Sequence, residues 1–244
     1  MTPATTREAE LQSALATLQS RIAAAAASAN RDAAEIELLP ITKFFPASDV
    51  AILWRLGCRS FGESREQEAS AKIAELGDTP VHWHMVGRIQ SNKAKAVAAW
   101  ADTVHSVGTI KVAAALDRAC SQALANGRRS APMRVFVQIS LDGDCARGGV
   151  DIGEPAGVDA VCAAVAGADG LQLAGLMAIP PLGVEPDVAF SVLAEEHRRV
   201  LQTFPMATEL SAGMSGDLEA AVRHGSTCVR VGTALMGQRP LTSP

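Results

Sequence analysis

Two hydrophobic periods divide this chain. Over residues 7–33, Leu11, Leu15, Leu18 and Ile22 recur at helical spacing with polar and charged residues between them, which predicts one long amphipathic helix. Beyond it come short apolar runs at 37–43, 58–63, 82–87, 103–107, 134–140, 171–178, 207–212 and 228–233, each read as a strand. Helical patterning fills the intervals at 47–56, 65–76, 91–100, 109–126, 154–166, 186–203 and 216–224. Strands alternating with helices imply a parallel sheet. Eight strands are the number that closes a (β/α)8 TIM barrel, and 244 residues suit one. The expectation is an α/β barrel forming a single domain over 1–244, with the extra N-terminal helix covering its side or base. A doubly wound open sheet is the alternative. No linker, low-complexity segment or internal repeat divides the chain.

Composition narrows the partners. A net charge of −4 provides no field to attract nucleic acid or an anionic membrane. The short basic patches (Arg128 with Arg129, Arg198 with Arg199, Lys93 with Lys95) read as solvated faces. Five cysteines, odd in number and with no CxxC pair, indicate free thiols in a reducing compartment and no structural zinc. The N-terminus lacks a basic segment followed by an apolar core, and the alanine run at 23–27 is too short to span a bilayer. A cytoplasmic protein with no membrane partner is expected.

Candidate chemistry begins at Glu37-Leu38-Leu39-Pro40-Ile41-Thr42-Lys43, read as a strand ending in lysine. Ligands bind at the carboxyl ends of parallel strands. Alternation puts Leu39, Ile41 and Lys43 on one face, where apolar neighbours would favour a neutral amine able to attack an aldehyde. A strand-end lysine extending to solvent is the other reading. The second region is Leu210-Ser211-Ala212-Gly213-Met214-Ser215-Gly216-Asp217, with Val229-Arg230-Val231-Gly232-Thr233-Ala234 after it. Both are strand ends entering glycine-containing turns, whose N–H groups, with the hydroxyls of Ser211, Ser215 and Thr233, suit a phosphate. On the barrel count these are strands seven and eight, the usual phosphate position, and closure sets strand eight beside strand one. A compact ligand with a phosphate at one side and an aldehyde at the other fits, and pyridoxal 5′-phosphate is such a ligand. Arg230 on the Gly232 face would keep the pyridine nitrogen unprotonated and the ring a weak electron sink. Asp217 reads as an acidic residue in the first turn of the next helix.

These stretches, with Pro46-Ala47-Ser48-Asp49, Phe61-Gly62-Glu63-Ser64, the run from Trp83 to Lys93 (WHMVGRIQSNK), His105-Ser106-Val107 and Gly175-Leu176-Met177-Ala178-Ile179-Pro180, resemble the pyridoxal phosphate homeostasis protein family. The resemblance runs in order from Glu37 to Gly237 and implies the alanine-racemase N-terminal barrel. It also implies that Lys43 forms the internal aldimine, that Ser211, Met214, Ser215, Gly232 and Thr233 hold the phosphate, and that Arg230 lies near the ring nitrogen. Two departures stand out. Ser64-Arg65 replaces the usual Asn-Tyr after strand two, which puts a role for that pair in doubt, and Thr42 precedes the lysine in place of Ser.

Other candidates attach less firmly. His82 and His84 share a strand face as in metal-dependent barrel hydrolases, with His105 as a third ligand, but strand eight offers no Asp and no metal is expected. Ser91-Asn92-Lys93 reads either as a helix cap or as part of the site's mouth. Met177 and Ile179 read as barrel filling and pocket wall. Residues 142–149 form a polar loop that suits a lid, with Arg147 facing an anion or solvent, and Cys145 in it.

The resemblance leaves two functions open. One is a protein that holds pyridoxal phosphate on lysine and takes part in its intracellular homeostasis, with apo-enzymes that use the cofactor as recipients. The other is an amino-acid racemase. Alanine racemases oppose their lysine with a tyrosine base and carry a C-terminal β domain; this chain ends at Pro244 and contains no tyrosine. Two-base racemisation needs both faces served. Binding without catalysis is the expectation, in a monomer or weak dimer.

Overall fold

The computed structural model describes residues 6–238, so the final residues after Gln238 and the first five lie outside it. Nine strands appear among the described residues: β1 (Glu37–Pro40), β2 (Ser60–Glu63), β3 (His82–Met85), β4 (Thr103–Val107), β5 (Met133–Ser140), β6 (Val150–Asp151), β7 (Leu171–Ala178), β8 (Glu209–Ser211) and β9 (Cys228–Val231). Eight of them run parallel in the order β1-β9-β8-β7-β5-β4-β3-β2, and β6 pairs only with β5. The ends of that row meet: Ile41 bridges Gly62, and the Thr42 N–H bonds the Gly62 carbonyl at 3.0 Å. Gly62 permits this approach, because a Cβ there would lie 2.4 Å from Ile41 Cδ1. The result is the expected (β/α)8 barrel.

The surrounding helices are α2 (Ala47–Arg55), α3 (Glu66–Leu76), α4 (Ala94–Ala98), α5 (Ile110–Ala125), α6 (Pro155–Ala166), α7 (Pro186–Thr203), α8 (Leu218–Arg223) and α9 (Thr233–Met236). Their apolar stripes meet the outward side chains of the strands, as Val158, Val161 and Val165 of α6 do with Val135 and Val137 of β5. The N-terminal helix α1 (Thr6–Ser28) buries Leu11, Leu15, Leu18 and Ile22 in a core shared with Val229, Val231, Leu218 and Leu235. It therefore covers the side of the barrel at β1 and β9, where α8 and α9 are too short to do so alone. Two of its arginines fasten it, Arg7 to Asp49 and the Met236 carbonyl and Arg21 to Glu219 and the Ser215 carbonyl, and Arg31 just beyond its end bonds the Val222 and Ser226 carbonyls.

Candidate functional site

The first strand stops before its lysine. Regular pairing ends at Pro40, Ile41 adds one bridge, and Lys43 lies in a turn that leads to α2. Strand alternation continued through residue 43 would set Lys43 beside Leu39 and Ile41 in an apolar setting. Those two are buried with Cys228, but Lys43 is exposed, its Nζ lying 5.8 Å from the Phe44 ring centre. The turn lifts the amine out of the barrel to its rim.

The turns after β8 and β9 adjoin that rim. β1 pairs with β9 in the register Leu39 to Arg230 and Pro40 to Val231, and the Ile41 N–H bonds the Val231 carbonyl at 2.9 Å. Gly232 follows immediately; a Cβ built on it would meet only Ile41, at 3.7 Å, so its remaining side is open. Ser215 Oγ accepts the Ala234 N–H at 3.2 Å, which ties the β8 turn to the start of α9. Met214 N–H donates to Asp217 Oδ1 at 2.5 Å. Asp217 thus sits just ahead of α8 as a brace for the turn, not in the helix's first turn. Met214 and Ser215 are half-buried, and Gly216 and Thr233 are exposed.

Ser211 does not belong to this rim. It is fully buried inside the barrel, because the alternation that turns Leu210 outward to the helices turns Ser211 inward. There it joins a chain of polar groups. Arg230 donates to Ser211 Oγ at 2.7 Å and to the Ala178 carbonyl at 3.0 Å. His105 Nδ1 lies 2.8 Å from Ser211 Oγ, and His105 Nε2 lies 2.9 Å from His84 Nδ1. Phe136 stacks on the His105 ring at 4.5 Å. Burial pushes His84 down to about 4 and His105 well below its ordinary value, so both imidazoles are neutral. Arg230 donates to Ser211, and two proton orders satisfy the remaining contacts: Ser211 to His105 Nδ1 with His105 Nε2–H to His84, or His84 Nδ1–H to His105 Nε2 with His105 Nδ1–H to Ser211. Burial also lowers Arg230 from its ordinary value.

His84 is therefore hydrogen-bonded within the barrel, whereas His82 is exposed at the strand's other end; the shared face does not bring them into one ligand set. Among the described residues no three His, Cys, Asp or Glu side chains are grouped to hold a metal. Ser91–Lys93 forms a 3-10 turn before α4, and Lys93 stands at the N-cap of α4 without a side-chain capping hydrogen bond. The polar loop at 142–149 is knitted together. Arg147 pairs with Asp142 and Asp144, and Arg88 donates to the Ala146 carbonyl at 2.9 Å. Cys145 is exposed there, and all five cysteines are free. Met177 fills the barrel interior with Phe136 and Ala174, while Ile179 is exposed beyond it.

One cluster was not anticipated. Glu63, fully buried at the end of β2, accepts from Lys72 Nζ at 2.5 Å and from the Thr42 hydroxyl at 2.6 Å. Lys72 also donates to the Thr42 carbonyl at 2.7 Å. Burial raises the Glu63 carboxyl above its ordinary range, against the downward pull of Lys72 and Thr42. The available signal was Lys72 itself, a charge on the buried stripe of α3 next to Ala69.

Over residues 14–240 the chain matches the family described as alanine racemase, N-terminal domain. It is 62% identical to the pyridoxal phosphate homeostasis protein of Mycobacterium tuberculosis, over 98% of this chain and 96% of that protein. Identity to the protein of the same name in Escherichia coli K12 is 38%, over 92% and 95%. The structure of PipY from Synechococcus elongatus PCC7942 with PLP bound is 32% identical and superposes with a TM-score of 0.78, covering 93% of this chain and all of that one (100%). With its barrel, its rim lysine and these relatives taken together, the chain belongs to the pyridoxal phosphate homeostasis protein family.

Proposed function

We propose that this chain, acting as one barrel unit, holds pyridoxal 5′-phosphate reversibly on Lys43 and serves intracellular homeostasis of the cofactor without catalysing a reaction on it. The observation that carries the reading is the adjacency of an exposed lysine and an anion-suited rim across the β1–β9 pair. The residues present fit the group: open glycine backbone at Gly232, hydroxyls at Ser215 and Thr233, and the start of α9 form a donor set for a phosphate. When bound, the cofactor supplies the aldehyde carbon that a lysine amine attacks.

Each side chain then has a task. Lys43 provides the nucleophilic nitrogen. Met214, Ser215, Gly232 and Thr233 hold the phosphate, while Ser211 acts at one remove by holding Arg230. Arg230, fixed by Ser211 and the Ala178 carbonyl, sets a permanent cation in the barrel, and beside a ring nitrogen that cation opposes its protonation. The chain has no tyrosine to oppose Lys43, which supports holding over racemisation. Enzymes lacking the cofactor are the recipients in this reading, the cytoplasm its setting, and a monomer or weak dimer its form. No helix of the described residues is long and apolar enough to cross a membrane.

The test is borohydride reduction of the cofactor-incubated protein followed by peptide mass spectrometry. A phosphopyridoxyl adduct confined to the Lys43 peptide, and lost in Lys43→Ala, is expected. Adducts scattered over surface lysines would sink the assignment. Racemisation of alanine above the rate with free cofactor would favour the enzyme reading.

A further inference from the structure

Contacts from α3 and β2 converge on the peptide around Lys43 without touching the phosphate rim. Ahead of the lysine, Lys72 Nζ holds the Thr42 carbonyl, and Glu63 holds both Lys72 and the Thr42 hydroxyl. Behind it, Glu68 Oε2 accepts the Phe44 N–H at 3.2 Å, and its other oxygen takes Arg65 at 2.9 Å. The residues on both sides of Lys43 are thus fixed by side chains from the same strand and helix. Phe44 has φ +71°, a left-handed conformation that a residue with a side chain adopts at a cost. Such strain persists where the surroundings over-determine it.

The cluster is also poorly designed for stability. Glu63 Oε2 is buried and has no hydrogen-bond partner among the described residues. An apolar pair of similar volume joins a helix to a strand at least as well as a buried ion pair. Cohesion alone therefore does not account for these charges, whereas aiming the chain does: an ammonium and a carboxylate can grip a carbonyl and a hydroxyl in fixed directions, which apolar groups cannot.

We propose that Glu63, Glu68 and Lys72 are positioning residues that lock the 42–44 turn and project the Lys43 amine over the barrel mouth. This deepens the reading of Lys43 as the attachment point. Its test separates the aldehyde end of the ligand from the phosphate end, and includes a measurement on the protein without ligand.

Glu68→Ala removes the Phe44 acceptor from a half-buried side chain and leaves the buried pair in place. Its Phe44 amide is expected to exchange hydrogen about tenfold faster in the unliganded protein, the scale of one lost charge-assisted bond. Binding of pyridoxal, which lacks the phosphate, should weaken by a similar factor while binding of inorganic phosphate stays unchanged. Glu68→Gln, whose single neutral amide oxygen still accepts, should restore part of both values. Lys72→Met, where folded, should show the same split between the two probes. The proposal is overturned if Glu68→Ala keeps wild-type Phe44 exchange and pyridoxal affinity, if both probes weaken together, or if Glu68→Gln behaves as Glu68→Ala. A wild-type protein that forms no pyridoxal adduct on Lys43 would instead sink the attachment reading, and the exchange measurement would still decide the lock.

Discussion

Two buried polar clusters flank the barrel mouth, one inside the ring of strands and one outside it. Inside, His84, His105, Ser211 and Arg230 form a chain in which each shared contact has a donor and an acceptor. Burial keeps its histidines neutral, so one net charge, on Arg230, is carried into the barrel. Outside, Glu63 and Lys72 bring two charges under α3, and one carboxylate oxygen has no partner among the described residues. The satisfied network can add rigidity at modest cost, whereas the ion pair bears a desolvation penalty that its own attraction repays poorly. Their difference separates a framework for Arg230 from a device that aims the chain at Lys43.

Mutation breaks this comparison most strongly at the ion pair. Lys72→Ala strands a buried carboxylate and should lower the unfolding free energy by about 3–5 kcal/mol in urea denaturation. The double variant Glu63→Leu with Lys72→Met removes both charges and should recover part of that loss, the buried Thr42 hydroxyl being left without its acceptor. A single variant as stable as the wild type would mean that the pair is already solvated.

Acid should act on the inner chain. In the native state His84 binds its proton only near pH 4, against 6.5 when unfolded, and His105 is displaced the same way. Between those values the unfolded state holds more protons. Stability is therefore complete above the unfolded value and falls as pH drops toward 4, by up to about 1.4 kcal/mol per pH unit for each histidine. Urea denaturation across that range in His105→Gln should show a shallower slope than the wild type; identical slopes would place the acid sensitivity elsewhere.

The smallest effect belongs to the surface. Arg21 pairs with Glu219 at 2.7 Å while both side chains are about a third or more exposed (32% and 41%). Arg21→Ala should cost about 0.2–1 kcal/mol and diminish with added salt. A loss larger than that would mean that its bond to the Ser215 carbonyl also holds the rim.

Much of this was legible in the residues. Leu11, Leu15, Leu18 and Ile22 declared α1 and its buried stripe, since helical periodicity is local and survives in the sequence. The eight ring strands and their closure followed from the count, although β6 joins β5 outside the ring. Strand one is shorter than the apolar run 37–43 implies, so Lys43 lies in the turn beyond it, exposed as the solvent-reaching reading has it and not among the apolar neighbours of the other. Alternation holds only while the strand continues, and here it yields at Pro40 to a turn with a left-handed Phe44. Ser211 was read as a rim donor because it borders a glycine turn, yet it is the last residue of β8 and faces inward.

What the sequence by itself determined is periodic or adjacent: the alternation of strands and helices, the covering helix, the lysine and the glycine turns. Tertiary structure decided which distant side chains share a hydrogen bond. His105 and Ser211 are 106 residues apart and meet only because β4 and β8 both face one interior. Lys72 reaches the Thr42 carbonyl across 30 residues only because α3 packs behind the β1–β2 closure. Local preferences act over a few residues, whereas barrel closure fixes long-range neighbours all at once, and no short stretch of the chain encodes them.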